Sequence, residues 1–295
     1  MRKGVTDMNL SVNHPCFDEK AHRSVGRVHL PVAPKCNVLC GYCDRRFSCV
    51  NENRPGLYRK LLEPGETVEY LSAKIEAEPR IRVVGIAGPG EPLTNDETFT
   101  TLELIRRAFP HLELCVATNG LLLPNSIDLL AELGVHYITV TVNTISPETA
   151  SKIYLWALKG NVKLTGVEAG LFVVSRQIEG IRRAVEKGMR VKVNTVLIPK
   201  LNAGEITEIA RAVRGAGAHI MNIIGMLPLG AFKTMRPPGE GELRRIRKAA
   251  ASIMPQFLLC RRCRADAWGI PAEEEMGYRG RYLPAEGGNS WVSTG

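Results

Sequence analysis

The segment RVHLPVAPKCNVLCGYC, residues 27–43, joins a strand-like run to a cluster of cysteines. Its opening part, RVHLPVA, has the apolar and β-branched residues that are typical of a strand. Cys36, Cys40 and Cys43 follow with the spacing C-x3-C-x2-C, and Tyr42 precedes the last of them. Thiolates are soft ligands of the kind that bind iron–sulfur clusters. This segment therefore predicts a metal-binding loop directly after the first strand of the fold.

Beyond this segment, strand-like and helix-like runs alternate along the chain. The later strand-like runs are RVVGIAG (82–88), LELCVATN (112–119), HYITVTVN (136–143), RVKVNTVLI (190–198) and HIMNIIGM (219–226). The helix-like runs are ETVEYLSAKIEAE, TNDETFTTLELIRRAF, NSIDLLAELG, IEGIRRAVEKG and NAGEITEIARAVRGAG. Strands that alternate with helices at this spacing predict a parallel sheet with helices outside it. We expect an α/β fold, a partial (β/α)6 barrel, that carries its chemistry on the loops after the strands.

The ends of the chain fall outside this alternation. We assign residues 27–228 to the barrel, residues 1–26 to an N-terminal extension and residues 229–295 to a C-terminal extension. The run MRPPGEGE (235–242) contains two prolines and interrupts the regular pattern. The final residues, PAEGGNSWVSTG, are typical of a flexible tail.

Composition narrows the class of protein. The chain has 295 residues, 44% of them hydrophobic, and a net charge of +9. It has no apolar stretch of the ~18 residues that a membrane span needs and no signal-peptide pattern, so we expect a soluble, cytoplasmic protein. In that reducing compartment the eight cysteines favour metal or redox chemistry over disulfides. The charge favours anionic partners, but the densest basic run, ELRRIRKAA, is typical of a solvated helix face, and we expect neither nucleic acid nor membrane as a partner.

The cysteine loop resembles that of the radical S-adenosylmethionine (radical SAM) superfamily of enzymes. The resemblance implies that Cys36, Cys40 and Cys43 hold a [4Fe–4S] cluster whose fourth iron binds S-adenosylmethionine. An electron from that cluster would then cleave the sulfonium and give a 5′-deoxyadenosyl radical. A zinc knuckle is the alternative, but structural zinc sites use four protein ligands.

Other loops of the predicted barrel fit the same superfamily. The run GIAGPGEP (85–92) resembles its Gly-Gly-Glu-type loop, which meets the amino group of the methionine moiety. Three asparagines lie at or near strand ends, where polar side chains point into the mouth of a barrel, although each is also a common cap or turn residue. The residues predicted to bind S-adenosylmethionine are Gly88, Gly90, Glu91, Asn119, Asn143 and Asn194.

Four further segments of the sequence resemble one family within this superfamily. They are NHPCFDEKAH, CDRRFSCVNENRPG, AGPGEPL and CRRCRADAWG. Together they resemble the NifB family, radical SAM enzymes of nitrogenase iron–molybdenum cofactor assembly, over residues 13 to about 270. The chain is similar to the short form of that family common in archaea, without the C-terminal carrier-like domain of many bacterial members.

The family resemblance implies roles for the remaining cysteines. The family fuses two [4Fe–4S] clusters, so Cys49 and Cys115, with a histidine, would hold one of them. Cys16, Cys260 and Cys263 would hold the other. Residues two apart on a strand share a face, so Cys115 should face the same way as Asn119.

Three histidines compete for the ligand position. His14 and His22 lie in the N-terminal extension, whereas His29 lies within the first predicted strand. We select His29, because a strand residue can project into the barrel. The alternative for His29 is a packed core histidine bonded to a backbone carbonyl.

The same resemblance implies a reaction and its partners. One S-adenosylmethionine would donate a methyl group to a cluster sulfide, and a second would supply the radical that removes hydrogen from that methyl. The carbon would become the carbide of an [8Fe–9S–C] precursor of the iron–molybdenum cofactor, with an added sulfur from sulfite. Ferredoxin as electron donor and carrier or scaffold proteins of the NifX and NifEN type are the implied partners. Glu52 and Arg54 are the candidate catalytic residues, although they could form a structural salt bridge instead.

Two other classes of function remain open at this point. One is a radical SAM enzyme with an auxiliary C-terminal [4Fe–4S] cluster that acts on a small organic or nucleotide substrate, as in the molybdopterin-synthesis A family. That family needs three C-terminal cysteines, and this chain has two. The other is a non-enzyme, either an iron–sulfur carrier or a zinc protein that binds nucleic acid.

Overall fold

The computed structural model describes residues 14–44, 46, 48–49, 60–260 and 262–273. The strands are β1 (Gly26–His29), β2 (Val38–Cys40), β3 (Ile81–Ile86), β4 (Glu113–Thr118), β5 (Val135–Thr141), β6 (Tyr154–Lys159), β7 (Val162–Leu164), β8 (Arg190–Leu197), β9 (Ile220–Gly225) and β10 (Trp268–Gly269). The helices are α1 (Glu19–Ser24), α2 (Thr67–Ala77), α3 (Asp96–Ala108), α4 (Leu123–Glu132), α5 (Pro147–Ile153), α6 (Gly166–Glu186), α7 (Ile206–Gly215) and α8 (Glu240–Ala251). Among these helices, none is long and apolar enough to cross a membrane.

The main sheet has seven strands in the order β10-β1-β3-β4-β5-β8-β9. The strands from β1 to β9 in that order pair in parallel, and β10 pairs antiparallel with β1 at the edge. Parallel strands that follow chain order need a crossover between each pair, and helices supply most of it. The prediction of an α/β partial barrel with six parallel strands is confirmed for the described part of the chain.

The two faces of the main sheet differ in chemistry. On β4, Leu114 and Val116 belong to the apolar core that the sheet shares with the outer helices. Cys115 lies between them and so projects from the other face, which we call the inner face. Thr139 and Asn194 lie on the same face of neighbouring strands, because strand residues that pair side by side point the same way. Asn119 lies just beyond the end of β4, so the expectation that it faces the same way as Cys115 stays a prediction.

A second sheet was not anticipated from the sequence. It has three strands in the order β2-β6-β7, and β2 lies within the cysteine loop. β2 pairs antiparallel with β6, with Val38 opposite Ala157 and Leu39 opposite Trp156. The hairpin β6–β7 therefore covers the loop that carries Cys36, Cys40 and Cys43.

Candidate metal centre

The cysteine loop, residues 36–43, is held in shape by its own turn and by strand β6. The N–H of Cys43 donates to the carbonyl of Cys40 at 3.0 Å. The N–H of Leu158 donates to the carbonyl of Asn37 at 2.8 Å, and the N–H of Gly41 donates to the carbonyl of Ile153 at 2.7 Å. These bonds fix the backbone conformation of the segment that carries the three thiols.

Residues 88–91 form hydrogen bonds with the residues that lead into the cysteine loop, on the side away from β6. The N–H of Gly90 donates to the carbonyl of Ala33 at 2.6 Å, and the N–H of Glu91 donates to the carbonyl of Lys35 at 2.8 Å. A Cβ atom at position 90 would lie only 2.3 Å from the carbonyl oxygen of Lys35. Gly88 has φ +150°, a conformation that favours glycine. Both predicted glycines are thus required by the backbone geometry next to the cysteines.

Asn95, which sequence reasoning missed, bonds to both Lys35 and Glu91 where the segment before the cysteine loop meets residues 88–91. Its side-chain oxygen accepts from the N–H of Lys35 at 3.0 Å, and its side-chain nitrogen donates back to the carbonyl of Lys35 at 3.1 Å. The same nitrogen donates to the carbonyl of Glu91 at 2.7 Å. Asn95 is only 1% exposed, so these bonds are shielded from water. Asn95 directly precedes α3, and only the fold shows that its side chain bonds to the remote residue Lys35.

Glu91 and Asn119 are joined at the mouth of the barrel. The Glu91 carboxylate accepts from the backbone N–H of Asn119 at 2.6 Å, from the hydroxyl of Thr118 at 2.5 Å and from the N–H of Leu93 at 3.2 Å. The Asn119 side chain donates to the side-chain oxygen of Asn37 at 2.7 Å, next to Cys36. The carboxylate therefore ties the end of β4 to the cysteine loop, and contact of either residue with S-adenosylmethionine stays a prediction.

Asn143 reaches the aromatic residue of the cysteine motif. Its side-chain nitrogen lies 2.6 Å from the hydroxyl oxygen of Tyr42 and 3.1 Å from that of Tyr154. Burial, with the nearby Cys40 thiol adding to it, holds the pKa of Tyr42 well above its usual range. Asn194 lies deeper and accepts from the side chain of Asn222 at 3.0 Å. The structure thus links Asn143 to the cysteine loop, whereas this side-chain bond of Asn194 runs to β9.

His29 and Cys115 meet over Gly85 on the inner face. A Cβ atom placed at Gly85 would lie 2.9 Å from Sγ of Cys115 and 3.1 Å from Cδ2 of His29. Burial, and then the field of Arg27, lowers the pKa of His29 to about 3, so its imidazole is neutral. Nδ1 lies 3.3 Å from the carbonyl of Arg264, so Nε2, the nitrogen nearer to Gly85, is the atom that the predicted ligand role of His29 would use. Cys49, the third member of this predicted set, donates its N–H to the carbonyl of Pro89 at 2.7 Å.

Cys16, Cys260 and Cys263, which we call the Cys16 group, come together from the two ends of the described chain. The thiols of Cys260 and Cys263 lie close enough to Cys16 to raise its pKa, although burial is the largest cause of its rise to about 12. Lys192 and Arg27 act in the opposite direction on the same thiol. Arg27 donates through Nη2 to Sγ of Cys263 at 3.1 Å and through Nη1 to the carbonyl of Gly269 at 2.8 Å. Two buried cations therefore adjoin three thiols.

The donor set fits iron–sulfur clusters better than single ions. Within the described residues, no three side chains of histidine, cysteine, aspartate or glutamate are placed to hold one metal ion. Thiolates with a neutral imidazole are the ligands that iron–sulfur chemistry prefers over hard cations. All eight cysteines are free thiols, so each is available as a ligand. The predicted catalytic residues Glu52 and Arg54 lie outside the described residues.

Comparisons with known proteins identify relatives of this chain. Residues 30–213 match the family model of the radical SAM superfamily. The FeMo cofactor biosynthesis protein NifB of Klebsiella pneumoniae is 44% identical over 268 residues, which span 88% of this chain and 57% of the relative. The protein of the same name from Methanocaldococcus infernus is 44% identical over 265 residues, which span 89% of this chain and 87% of the relative. The chain thus spans little more than half of the first relative and most of the second.

Solved structures share the fold at low sequence identity. SuiB of Streptococcus suis aligns with a TM-score of 0.55 at 15% identity, over 78% of this chain and 46% of that one. Methylornithine synthase PylB aligns with a TM-score of 0.54 at 14% identity, over 80% of this chain and 65% of that one. At such identities the likeness extends to the fold alone.

Proposed function

Because this chain belongs to the NifB family of radical SAM enzymes, we propose that it fuses two [4Fe–4S] clusters into the [8Fe–9S–C] precursor of the iron–molybdenum cofactor. The carbide would derive from S-adenosylmethionine, and an extra sulfur would complete the product. The observation that carries this proposal is that the fold brings together two further groups of soft ligands besides the cysteine loop. His29 contacts the same glycine as Cys115, and the Cys16 group adjoins Arg27 and Lys192. A radical enzyme with a single cluster has no need of these additional thiols.

The cysteine loop would hold the resident cofactor. Cys36, Cys40 and Cys43 supply three thiolates, and the [4Fe–4S] cluster bound there would supply the electron that cleaves S-adenosylmethionine. Glu91 and Asn95 fix the backbone on one side of the loop, and strand β6 fixes it on the other. A rigid loop keeps the thiols in the geometry that a cluster requires, and it excludes water from the cluster.

The remaining ligands would hold the two substrate clusters. A substrate must leave once it has reacted, and a neutral imidazole such as that of His29 binds iron less strongly than a thiolate does. Arg27 and Lys192 are only 1% and 2% exposed, and their positive charge offsets the negative charge of thiolate-bound clusters in this buried setting. The chain would thus combine firm retention of one cluster with releasable binding of two others.

The partners are part of the same proposal. S-adenosylmethionine and sulfite would be the small-molecule substrates, and a ferredoxin would supply electrons. The product would pass to carrier or scaffold proteins of the NifX and NifEN type. The net charge of +9 favours association with acidic proteins and with anionic clusters.

The test is anaerobic turnover of the iron-reconstituted protein with S-adenosylmethionine and dithionite, with nucleosides separated by chromatography. We expect both S-adenosylhomocysteine, from methyl transfer, and 5′-deoxyadenosine, from radical cleavage. A Cys36→Ala variant should lose 5′-deoxyadenosine formation, which ties that product to the cysteine loop. Formation of 5′-deoxyadenosine alone by the parent would contradict methyl transfer to a cluster and favour an enzyme with an auxiliary cluster.

A further inference from the structure

His14 is a buried side chain with no role in the reaction as described so far. It is 2% exposed. Its ring lies edge-on to Phe17 at a centroid distance of 5.0 Å and is tilted against Tyr137 at 4.5 Å. The backbone N–H of Cys16 donates to Nδ1 at 3.1 Å. Two aromatic contacts and one hydrogen bond thus fix the orientation of this imidazole.

The hydrogen bond from Cys16 also decides where the ring proton sits. A ring nitrogen that accepts a hydrogen bond carries no proton, so the proton of His14 is on Nε2. Nε2 is buried, and it has no hydrogen-bond partner among the residues that the structure describes. A buried donor without an acceptor is destabilising, and native proteins nearly always satisfy such groups. The structure therefore indicates an acceptor that comes from outside the described chain.

The surroundings of His14 define the charge of that acceptor. Lys192 and His29 are the charged or titratable neighbours that act on His14, and Arg27 lies close by on Cys263. Another N–H donor among buried cations is best matched by an anion. The Cys16 group shares these surroundings, because Lys192 acts on both His14 and Cys16, and Cys16 follows His14 by two residues.

We propose that Nε2–H of His14 donates a hydrogen bond to a sulfur atom of the iron–sulfur substrate held by Cys16, Cys260 and Cys263. This inference rests on the proposed function, since it takes the Cys16 group to hold a cluster. Hydrogen bonds to cluster sulfurs raise the reduction potential, because they stabilise the added electron. His14 would therefore both retain this substrate cluster and make it easier to reduce.

Two substitutions separate the two nitrogens of His14. In His14→Asn, the side-chain oxygen still accepts from the N–H two residues on, as Nδ1 does, but no donor remains at the position of Nε2. In His14→Gln, the longer amide brings an N–H toward that position but gives up the turn acceptor. His22→Asn is the matched control, because His22 is a second buried histidine of the same segment, with Nδ1 2.9 Å from the carbonyl of Pro15.

The reconstituted proteins are compared by the rate of iron release to a chelator and by redox titration followed by electron paramagnetic resonance. We expect His14→Asn to release the Cys16-group iron about tenfold faster, the effect of one charge-assisted hydrogen bond, and to titrate at a lower potential. His14→Gln should stay close to the parent, as should His22→Asn. Iron release and potential of His14→Asn equal to those of the parent would overturn the proposal, whatever His14→Gln does. The turn, or a buried water bound to Nε2, would then explain why a histidine occupies position 14.

A spectroscopic measurement covers the case in which both His14 variants are impaired. With ¹⁵N-labelled histidine, pulsed electron paramagnetic resonance of the reduced parent should show a weak nitrogen coupling that His14→Asn lacks. A parent without that coupling would overturn the proposal. Iron content separates this outcome from failure of the proposed function. A parent that holds only about four irons lacks the substrate clusters altogether, whereas one that holds about twelve but lacks the coupling refutes His14 alone.

Discussion

At the residue scale, the strength of each ligand is what would distinguish a resident cluster from a substrate. Eight thiols and several buried histidines are available, and His29 contacts Gly85 together with Cys115. An imidazole with its proton on Nδ1 offers a neutral lone pair at Nε2, and a thiolate offers a charged and more strongly binding one. If His29 is the predicted ligand, its imidazole would bind iron in an exchangeable way.

A His29→Cys substitution tests this reading. A thiolate at position 29 would bind iron more strongly, so we expect the fused product to leave the enzyme several-fold more slowly while S-adenosylmethionine cleavage continues. The measurement is single-turnover release of ⁵⁵Fe-labelled product to an acceptor protein. His111→Cys, an exposed position, controls for the added thiol. Release from His29→Cys as fast as from the parent would refute the role of the imidazole.

Asn95→Ala tests the clamp on the cysteine loop. The substitution removes the acceptor of the Lys35 N–H and one of two donors to the Lys35 carbonyl, which keeps the N–H of Glu91. A shielded group left without its partner costs about 1–3 kcal/mol. We expect a loss of that size in urea unfolding of the cluster-free protein, together with faster loss of iron from the cysteine loop. Asn125→Ala removes only a solvent-exposed acceptor of Arg176 and should change stability by no more than about 0.5 kcal/mol. Equal stability of the two variants would show that the clamp is dispensable.

At the scale of elements, the hairpin β6–β7 depends on the packing of α5 against α6. A Cβ atom at Gly170 of α6 would lie 2.1 Å from the carbonyl oxygen of Pro147 in α5. The chain runs from α5 directly into β6, which pairs with the cysteine loop. The spacing of these two helices thus sets the position of the strand that covers the three thiols.

Gly170→Ala should therefore disturb both the fold and the loop. Overpacking of this kind costs about 1–3 kcal/mol, and we expect that loss in urea unfolding, with a lower iron content after reconstitution. Val167→Ala on the same helix is the control, because Val167 is 51% exposed and its truncation should be nearly neutral. An unchanged unfolding midpoint for Gly170→Ala would mean that α5 can move away without cost.

The elements also show which features local sequence can predict. The parallel strands were predicted because each is an apolar run with its own flanking turn signals, and all six lie within a few residues of their predicted bounds. The hairpin β6–β7 and the two-residue β10 were missed, because each is defined by pairing with a distant segment. Helix α6 begins at Gly166, twelve residues before the predicted run, since its glycines weaken the local helix signal. Asn95 was missed for the same reason as the hairpin, because its partner Lys35 is remote in the sequence.

At the scale of the whole molecule, the described ends of the chain close the inner face of the sheet together. His22 from the N-terminal segment packs edge-on against Phe257, with ring centroids 5.6 Å apart. β10 adds to the edge of β1, and the carbonyl of Ala267 accepts from the N–H of His29 at 2.7 Å. The Cys16 group therefore forms only when both ends are folded, which couples the predicted substrate site to completion of the fold.

The central claim is that three ligand sets each hold a four-iron cluster, and iron and acid-labile sulfide per chain after anaerobic reconstitution test it most directly. We predict about twelve irons for the parent and about eight for each of Cys36→Ala, Cys115→Ala and Cys263→Ala, since each variant breaks one set. A parent with only about four irons, or Cys115→Ala and Cys263→Ala variants that keep the full parental content, would contradict the claim.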